Sequence, residues 1–245
     1  MRVAVVLLTW QRLNSLKNNL ADLHQQTKKD FDIYISNANL DQNAIKKVET
    51  YSKIFSERGL KIYVSHDGNE IYTFRRFTIG KKLFEQGYDV VMYIDDDVRI
   101  SKNYMQQALN NYKPKTYQSY YAWRFFNKGN SYYKNRKRVY SNEKPIHYCG
   151  TGMSMIDASV FAHDGLLSPP EGAMKIEDLW LSYYVAHVLR WELKYMHIED
   201  VYMPKVSDSA ALFRQVKKEK INKDVFLRSL VRSGWKLPVS LDESL

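Results

Sequence analysis

Three consecutive carboxylates, Asp95-Asp96-Asp97, close the apolar run Val90-Val91-Met92-Tyr93-Ile94. A short apolar run reads as a strand buried on both faces, as in a parallel sheet. Ligands of open α/β sheets gather at the carboxyl ends of strands, which is where this reading puts the acids. Adjacent carboxylates repel one another unless a cation or a set of donors offsets the charge. Hard divalent cations, Mg²⁺ or Mn²⁺, take oxygen ligands and often bridge to substrate phosphates. A solvated acidic turn is the simpler alternative for such a triplet. A second acidic pair, Glu177-Asp178, opens an apolar segment running to Leu189. At a helix start the dipole and free N–H groups favour an ionised carboxylate, and Asp178 is also a good N-cap there.

The elements that must position these acids alternate through the first hundred residues. Val3 to Thr9 reads as a buried strand, followed by Leu13, Leu16, Leu20 and Leu23 at helical spacing up to about Gln26. Phe31 to Asn37 is a second strand, and Ala44, Val48, Tyr51 and Phe55 mark a second helix that Gly59 stops. Lys61 to Ser65 is a third strand, and Phe74 to Phe84 a helix closed by Gly87. Strand–helix alternation predicts a parallel sheet with right-handed crossovers. The second half differs. Met105 to Tyr112 is a helix, but Tyr117 to Tyr148 mixes aromatics, glycines and basic residues without helical period. That pattern predicts antiparallel strands, with a hairpin around Asn127-Lys128-Gly129-Asn130. Cys149 to Met153 is a Gly-bounded turn, Ser154 to Ile156 a strand, and Asp157 a cap for Ala158 to Ala162. Tyr195 to Met203 reads as extended, and Val216 to Val231 as a basic amphipathic helix.

At 245 residues with 44% hydrophobic content, the chain is long enough for a sizeable core. Its single cysteine, Cys149, excludes an intrachain disulfide framework and suits a reducing compartment. No run approaches the ~18 apolar residues that span a bilayer, and the opening run is too short for a secretion signal. The expectation is a cytoplasmic protein without a transmembrane segment. The net charge of +10 attracts nucleic acid, phosphorylated substrates or an anionic membrane, so peripheral association through the basic surface is one expectation. Nineteen tyrosines and five tryptophans suit stacking on sugars or bases, or simply an aromatic core.

The order of Thr9-Trp10-Gln11-Arg12, Asn37-Ala38-Asn39, Arg75-Arg76, Ile94-Asp95-Asp96-Asp97 and Glu177-Asp178 resembles the GT-A glycosyltransferases. These are nucleotide-diphospho-sugar enzymes with an acidic Asp-x-Asp element. The resemblance spans about residues 2–206, with Arg75 to Gly80 only a partial match to the Ala-Arg-Asn-x-Gly helix of the commonest pattern. It implies a single α/β domain with a mostly parallel central sheet and a smaller antiparallel, acceptor-side portion. Residues 1–100 would form the nucleotide-binding half, 101–205 the acceptor half, and 206–245 a C-terminal loop and helix. The implied donor is UDP- or GDP-linked and the acceptor a glycan or other hydroxyl compound. A departing diphosphate develops negative charge that Mn²⁺ or Mg²⁺ would stabilise. Asp97 is the expected metal ligand, with Asp95 assisting; the resemblance implies a later His as third ligand, for which His197 is the candidate, although a lone His is more often structural. Asp96 would accept from the ribose hydroxyls, and Thr9, Arg12, Asn37 and Arg76 would line the nucleotide pocket, with a polar strand end or turn as the equal alternative for Asn37. Gly152 would let backbone approach the sugar. Asp178 is the expected base for the acceptor hydroxyl in an inverting reaction, with Glu177 as its alternative. The polar Lys205 to Leu212 is expected to close over the donor as a mobile loop, bringing Arg214, Lys217 or Lys218 to the diphosphate.

Two rival readings remain at this stage. Asp95-Asp96-Asp97-Val98 loosely fits an Asp-x-Asp phosphatase, although such enzymes usually begin with that strand and here three strand–helix units precede it. A basic nucleic-acid-binding module explains the charge but leaves three phosphate-repelling acids unexplained.

Overall fold

Strand–helix alternation in the first half builds the sheet that carries the acids. The computed structural model describes residues 1–68, 71–126, 132–170, 172–202 and 223–238. Strands β1 (Val3–Thr9), β2 (Asp32–Asn37), β3 (Ile62–His66) and β4 (Val90–Ile94) are linked by helices α1 (Leu13–His24), α2 (Gln42–Glu57) and α3 (Arg75–Glu85). All five residues of β4 are buried, as a strand covered on both faces requires. Its parallel partner is β1, which pairs in turn with β2, and β2 with β3.

The second half completes the same sheet. Helix α4 (Tyr104–Asn111) leads into β5 (Thr116–Ser119), and β9 (Met153–Asp157) inserts antiparallel between β5 and β4. β10 (Glu192–Tyr195) runs parallel to β5 at the edge, giving the order β10-β5-β9-β4-β1-β2-β3. Only β9 opposes the common direction. A second, antiparallel sheet holds β6 (Ala122–Phe125) between β7 (Arg136–Val139) and β8 (Tyr148–Cys149). The expected hairpin at 127–130 lies outside the described residues, as do Lys205 to Leu212, Arg214, Lys217 and Lys218.

Leu16, Leu20 and Leu23 of α1 pack with Val48 and Phe55 of α2 and Met105 of α4 on one face of the sheet. The other face is covered by Phe77 and Leu83 of α3 and by Val160 and Phe161 from the 3-10 turn Ala158–Ala162. Helix α5 (Asp164–Leu167) follows that turn, and Leu179 and Leu181 of α6 (Glu177–Tyr183) complete this layer with Leu227 and Leu230 of α7 (Lys223–Arg232). Phe161 lies against Gly80 so closely that a Cβ there would sit 2.3 Å from the ring, so α3 needs a glycine at that point.

Three expectations change. Asp178 does not cap its helix: Ile176 is the N-cap, and Glu177 and Asp178 form the first turn. The segment to Leu189 is α6 followed by a π-helical turn, Tyr184–Val188. The last strand ends at Tyr195, with Met196 N–H still bonded to Ser119 O before the chain leaves the sheet. Among the described residues no helix is long and apolar enough to cross a membrane.

Candidate active site

The acidic triplet leaves β4 at its carboxyl end, and α1 holds it there. Asn19, Asp22 and Gln26 form a buried polar stripe beside the leucines of α1. Asn19 Nδ2 donates to Asp95 O (3.0 Å), and Asp22 accepts two bonds of 2.6 Å from the Arg99 guanidinium and one of 3.1 Å from Ile100 N. Gln26 Nε2 donates to Ser101 O, and its Oε1 accepts from Met105 N. Residues 95–105 are therefore fastened to α1 and to Gln26 just past its end through buried and half-buried hydrogen bonds, which are costly to leave unmade. Sequence reasoning found the apolar stripe of α1 and missed this one, though its 19, 22, 26 spacing is equally helical.

Beneath the triplet lies a buried ion network. The Arg76 guanidinium donates to Asp95, to Glu177 and to Thr151 Oγ1 (2.8 Å). Glu177 also accepts from the Thr73 and Thr151 hydroxyls. Burial pulls the guanidinium pKa down, but Asp95 and Glu177 together hold it above its ordinary value. Burial pushes the Asp95 carboxyl up, against the pull of Arg76, and Asp97 and Asp178 add to the rise. Arg76 thus lies inside the protein as a clamp between two acids and does not line a pocket rim. Glu177 is buried in the same clamp, so it offers no open carboxylate to an acceptor. Gly152 is needed for a different contact from the expected one. A Cβ there would lie 2.4 Å from Asp95 Oδ2, and Gly152 O accepts from Asp95 N at 2.7 Å. The close approach is to Asp95 itself.

The outer acids are held differently. Arg12 Nη1 donates to Asp96 Oδ1 at 2.8 Å and stands 3.9 Å from Asp97. Burial pushes the Asp96 carboxyl up to about 6, with Arg12 pulling against it. Asp97 is the most open of the three, with its side chain 41% exposed against 36% for Asp95 and 22% for Asp96, and no arginine within hydrogen-bond distance of it among the described residues. Thr9 Oγ1, Arg12 Nε and Arg75 Nε are buried without a hydrogen-bond partner among the described residues. Arg75 donates to Thr9 O (3.3 Å) and Gly68 O (3.0 Å), and burial, with Arg76 beside it, lowers its pKa to about 10. Asn37 sits at the same sheet edge, but its amide donates to Asn39 O and lies 3.0 Å from His66 Nδ1, while its Oδ1 accepts from Asn39 N. Its side chain closes a turn.

Across from the triplet, the Tyr148 hydroxyl donates to Asp178, whose other oxygen accepts from Leu179 N at 2.9 Å. Lys223, at the start of α7, feels the Asp178 carboxylate: burial lowers its pKa, and Asp178 with Tyr132 more than restores it. Tyr121 faces Asp95 and Asp97; burial raises its phenol, and both carboxylates add to the rise. Tyr121, Tyr148 and Lys223 were not singled out in the sequence because nothing in their spacing ties them to the acids.

His197 does not join the site. It follows β10, three strands from β4, or roughly 14 Å at ordinary strand spacing. Its imidazole is exposed, 3.8 Å from Glu199 and beside the Tyr195 ring. Among the described residues no three His, Cys, Asp or Glu side chains form a cluster able to hold a metal. A divalent cation still fits the donor set in part. Asp97 is an exposed carboxylate beside a single cation, and hard ions readily take their remaining ligands from phosphates and water.

The sequence matches no protein-family model and no curated protein. Solved structures do share the architecture. A mannosyltransferase of Pyrobaculum calidifontis, PcManGT, in complex with GDP-Man and Mn²⁺, superposes with a TM-score of 0.61 over 96% of this chain at 11% identity. GalNAc-T7 with UDP, GalNAc and Mn²⁺ gives 0.58 over 95% at 12% identity, and S. aureus TarS gives 0.54 over 95% at 14%. The chain spans 65%, 50% and 42% of the length of these proteins respectively. Likeness over nearly the whole chain at such identities is a statement about architecture, and on it this chain has the GT-A glycosyltransferase fold.

Proposed function

We propose that the protein is a glycosyltransferase that moves a sugar from a UDP- or GDP-linked donor to an acceptor hydroxyl. One observation carries this reading: the Arg76 guanidinium joins Asp95, in the triplet that holds the open carboxylate Asp97, to Glu177, the neighbour of the helix-start carboxylate Asp178. A donor-side and an acceptor-side acid therefore belong to one site. The unpartnered Thr9 Oγ1, Arg12 Nε and Arg75 Nε beside it are the kind of buried polar atoms a nucleotide would satisfy. The GT-A fold supports the same reading, since PcManGT and GalNAc-T7 were solved with nucleotides and Mn²⁺.

In this reading Asp97 holds a divalent cation, with Asp95 restrained by Arg76. When bound, the metal stabilises charge developing on the departing diphosphate. Asp96, kept in register by Arg12, accepts from the ribose hydroxyls. Asp178 takes the proton of the acceptor hydroxyl if the reaction inverts the anomeric centre, and Tyr148 fixes the orientation of its carboxylate. Arg76 and Glu177 act beneath the site as positioning residues. The test is release of UDP or GDP from a panel of nucleotide sugars with Mn²⁺ or Mg²⁺, beside calorimetric binding of each nucleotide. Metal-dependent binding of one nucleotide supports the reading. Binding unaffected by EDTA removes the metal role, and no nucleotide binding removes the donor.

A further inference from the structure

The basic cluster at Lys134 to Arg138 finds no use in the donor chemistry, and the small sheet shows where it goes. Arg136 and Arg138 are two residues apart on β7 and so project from one face, about 7 Å from each other along the strand. Trp123 is directly opposite Arg138, and Phe125 opposite Arg136, on that same face. The Arg136 guanidinium lies 4.2 Å from the ring centroids of both Trp123 and Tyr132. Arg138 lies 4.5 Å from that of Tyr121 and 4.8 Å from that of Tyr120. Rings hold both cations, but carboxylates do not. Each guanidinium makes one hydrogen bond among the described residues, Arg136 to Tyr132 Oη (2.6 Å) and Arg138 to Tyr120 O (2.6 Å). No acid among those residues pairs with either. A guanidinium carries five donors, and Arg138 Nε is buried without a partner.

This face is continuous with the acids. Tyr121, under Arg138, is the ring that faces Asp95 and Asp97. Tyr148, whose centroid is 5.9 Å from Arg136, is the ring that bonds Asp178. Partly desolvated cations that meet no acid among the described residues attract an oxyanion, and planar guanidinium groups match carboxylate and phosphate geometry. Neighbouring aromatic faces suit the C–H face of a sugar. Building on the transferase reading, we propose that the acceptor is an anionic saccharide, carrying a phosphate or carboxylate, whose oxyanion is held by Arg136 and Arg138 while its hydroxyl reaches Asp178.

The experiment is calorimetric titration of the whole chain, with UDP and Mn²⁺ present, by glucose 6-phosphate, glucuronate and glucose. The expected result is affinity about tenfold or more higher for an anionic sugar than for glucose, as charge-assisted hydrogen bonds imply. Whichever of phosphate or carboxylate binds better names the group. That preference should vanish in the double variant Arg136→Gln/Arg138→Gln, with UDP affinity unchanged. Equal binding of all three sugars to the wild type overturns the proposal. So does a double variant that loses UDP affinity in parallel, since the arginines would then serve the donor diphosphate. If the double variant does not fold, a wild-type salt titration decides. A preference that collapses by about 0.5 M NaCl supports the proposal, and one indifferent to salt overturns it. UDP and GDP binding, read separately in the same series, decides the transferase reading independently of sugar selectivity.

Discussion

The two sides of the site handle charge in opposite ways. On the β4 side, Asp95 and Asp96 are each matched to an arginine, and Arg76 is sealed between two acids. On the small-sheet side, Arg136 and Arg138 rest on tyrosine and tryptophan rings and meet no acid among the described residues. Paired buried charges fix geometry, because any displacement leaves an uncompensated ion. Cations lying on rings keep most of their donors and can take a ligand. The first side is built to stay still and the second to receive.

The sharpest way to break this contrast is to remove the clamp. Arg76→Met leaves the buried Glu177 carboxylate without its cation, and Asp95 without its partner, and should cost about 3–5 kcal/mol. For a chain of this size that is a melting-temperature drop of roughly 6–20 °C, read by circular dichroism. A drop no larger than that of Arg136→Gln, where ring contacts and one hydrogen bond to Tyr132 Oη worth about 1–2 kcal/mol together are lost and no acid is left unpaired, would erase the difference between the two sides.

Next in size is the split between folding and chemistry at Asp178. Ile176 and not Asp178 caps α6, and in Asp178→Asn the amide oxygen can still accept from Leu179 N while the amide N–H donates to the Tyr148 oxygen. Turnover should fall by about 10²-fold or more, the scale of a lost general base, while melting temperature and UDP affinity stay near wild type. Near-normal turnover would remove Asp178 from the mechanism, and the burial of Glu177 would then favour a route that uses no protein base.

A smaller effect is expected at the open acid. Asp97→Ala should abolish the dependence of nucleotide affinity on Mn²⁺, bringing titrations with and without EDTA together. A variant whose affinity still falls on chelation would move the metal away from Asp97. The smallest effect concerns Asp96. Its folded pKa of about 6 lies above the ordinary carboxylate value, so between about pH 4 and 6 the folded chain holds a proton that the unfolded chain has lost. Its contribution therefore destabilises progressively as pH rises through that window and is fully unfavourable above it. Asp96→Asn should flatten the pH profile there and raise melting temperature at pH 7 by a few degrees, about 1 kcal/mol. An unchanged profile would show that Arg12 already balances the burial.

Much of the framework is set by the sequence alone. The buried runs of β1 and β4, the leucines of α1 and the left-handed glycines at 59 and 87 define strands, helices and stops through local periodicity and backbone freedom. Position after a buried strand was enough to bring the acidic triplet to the carboxyl edge. Only tertiary structure decided the duties within that triplet. Asp95, Asp96 and Asp97 are chemically identical in sequence, and what separates them is which arginine reaches which carboxylate and how much water remains. The same holds for Arg76 against Arg75, for Glu177 against Asp178, and for His197, which three intervening strand spacings keep from the acids. Local sequence fixes periodicity and caps, but burial and charge pairing depend on residues from 19 to 101 positions apart in the chain that meet only when the sheet is complete.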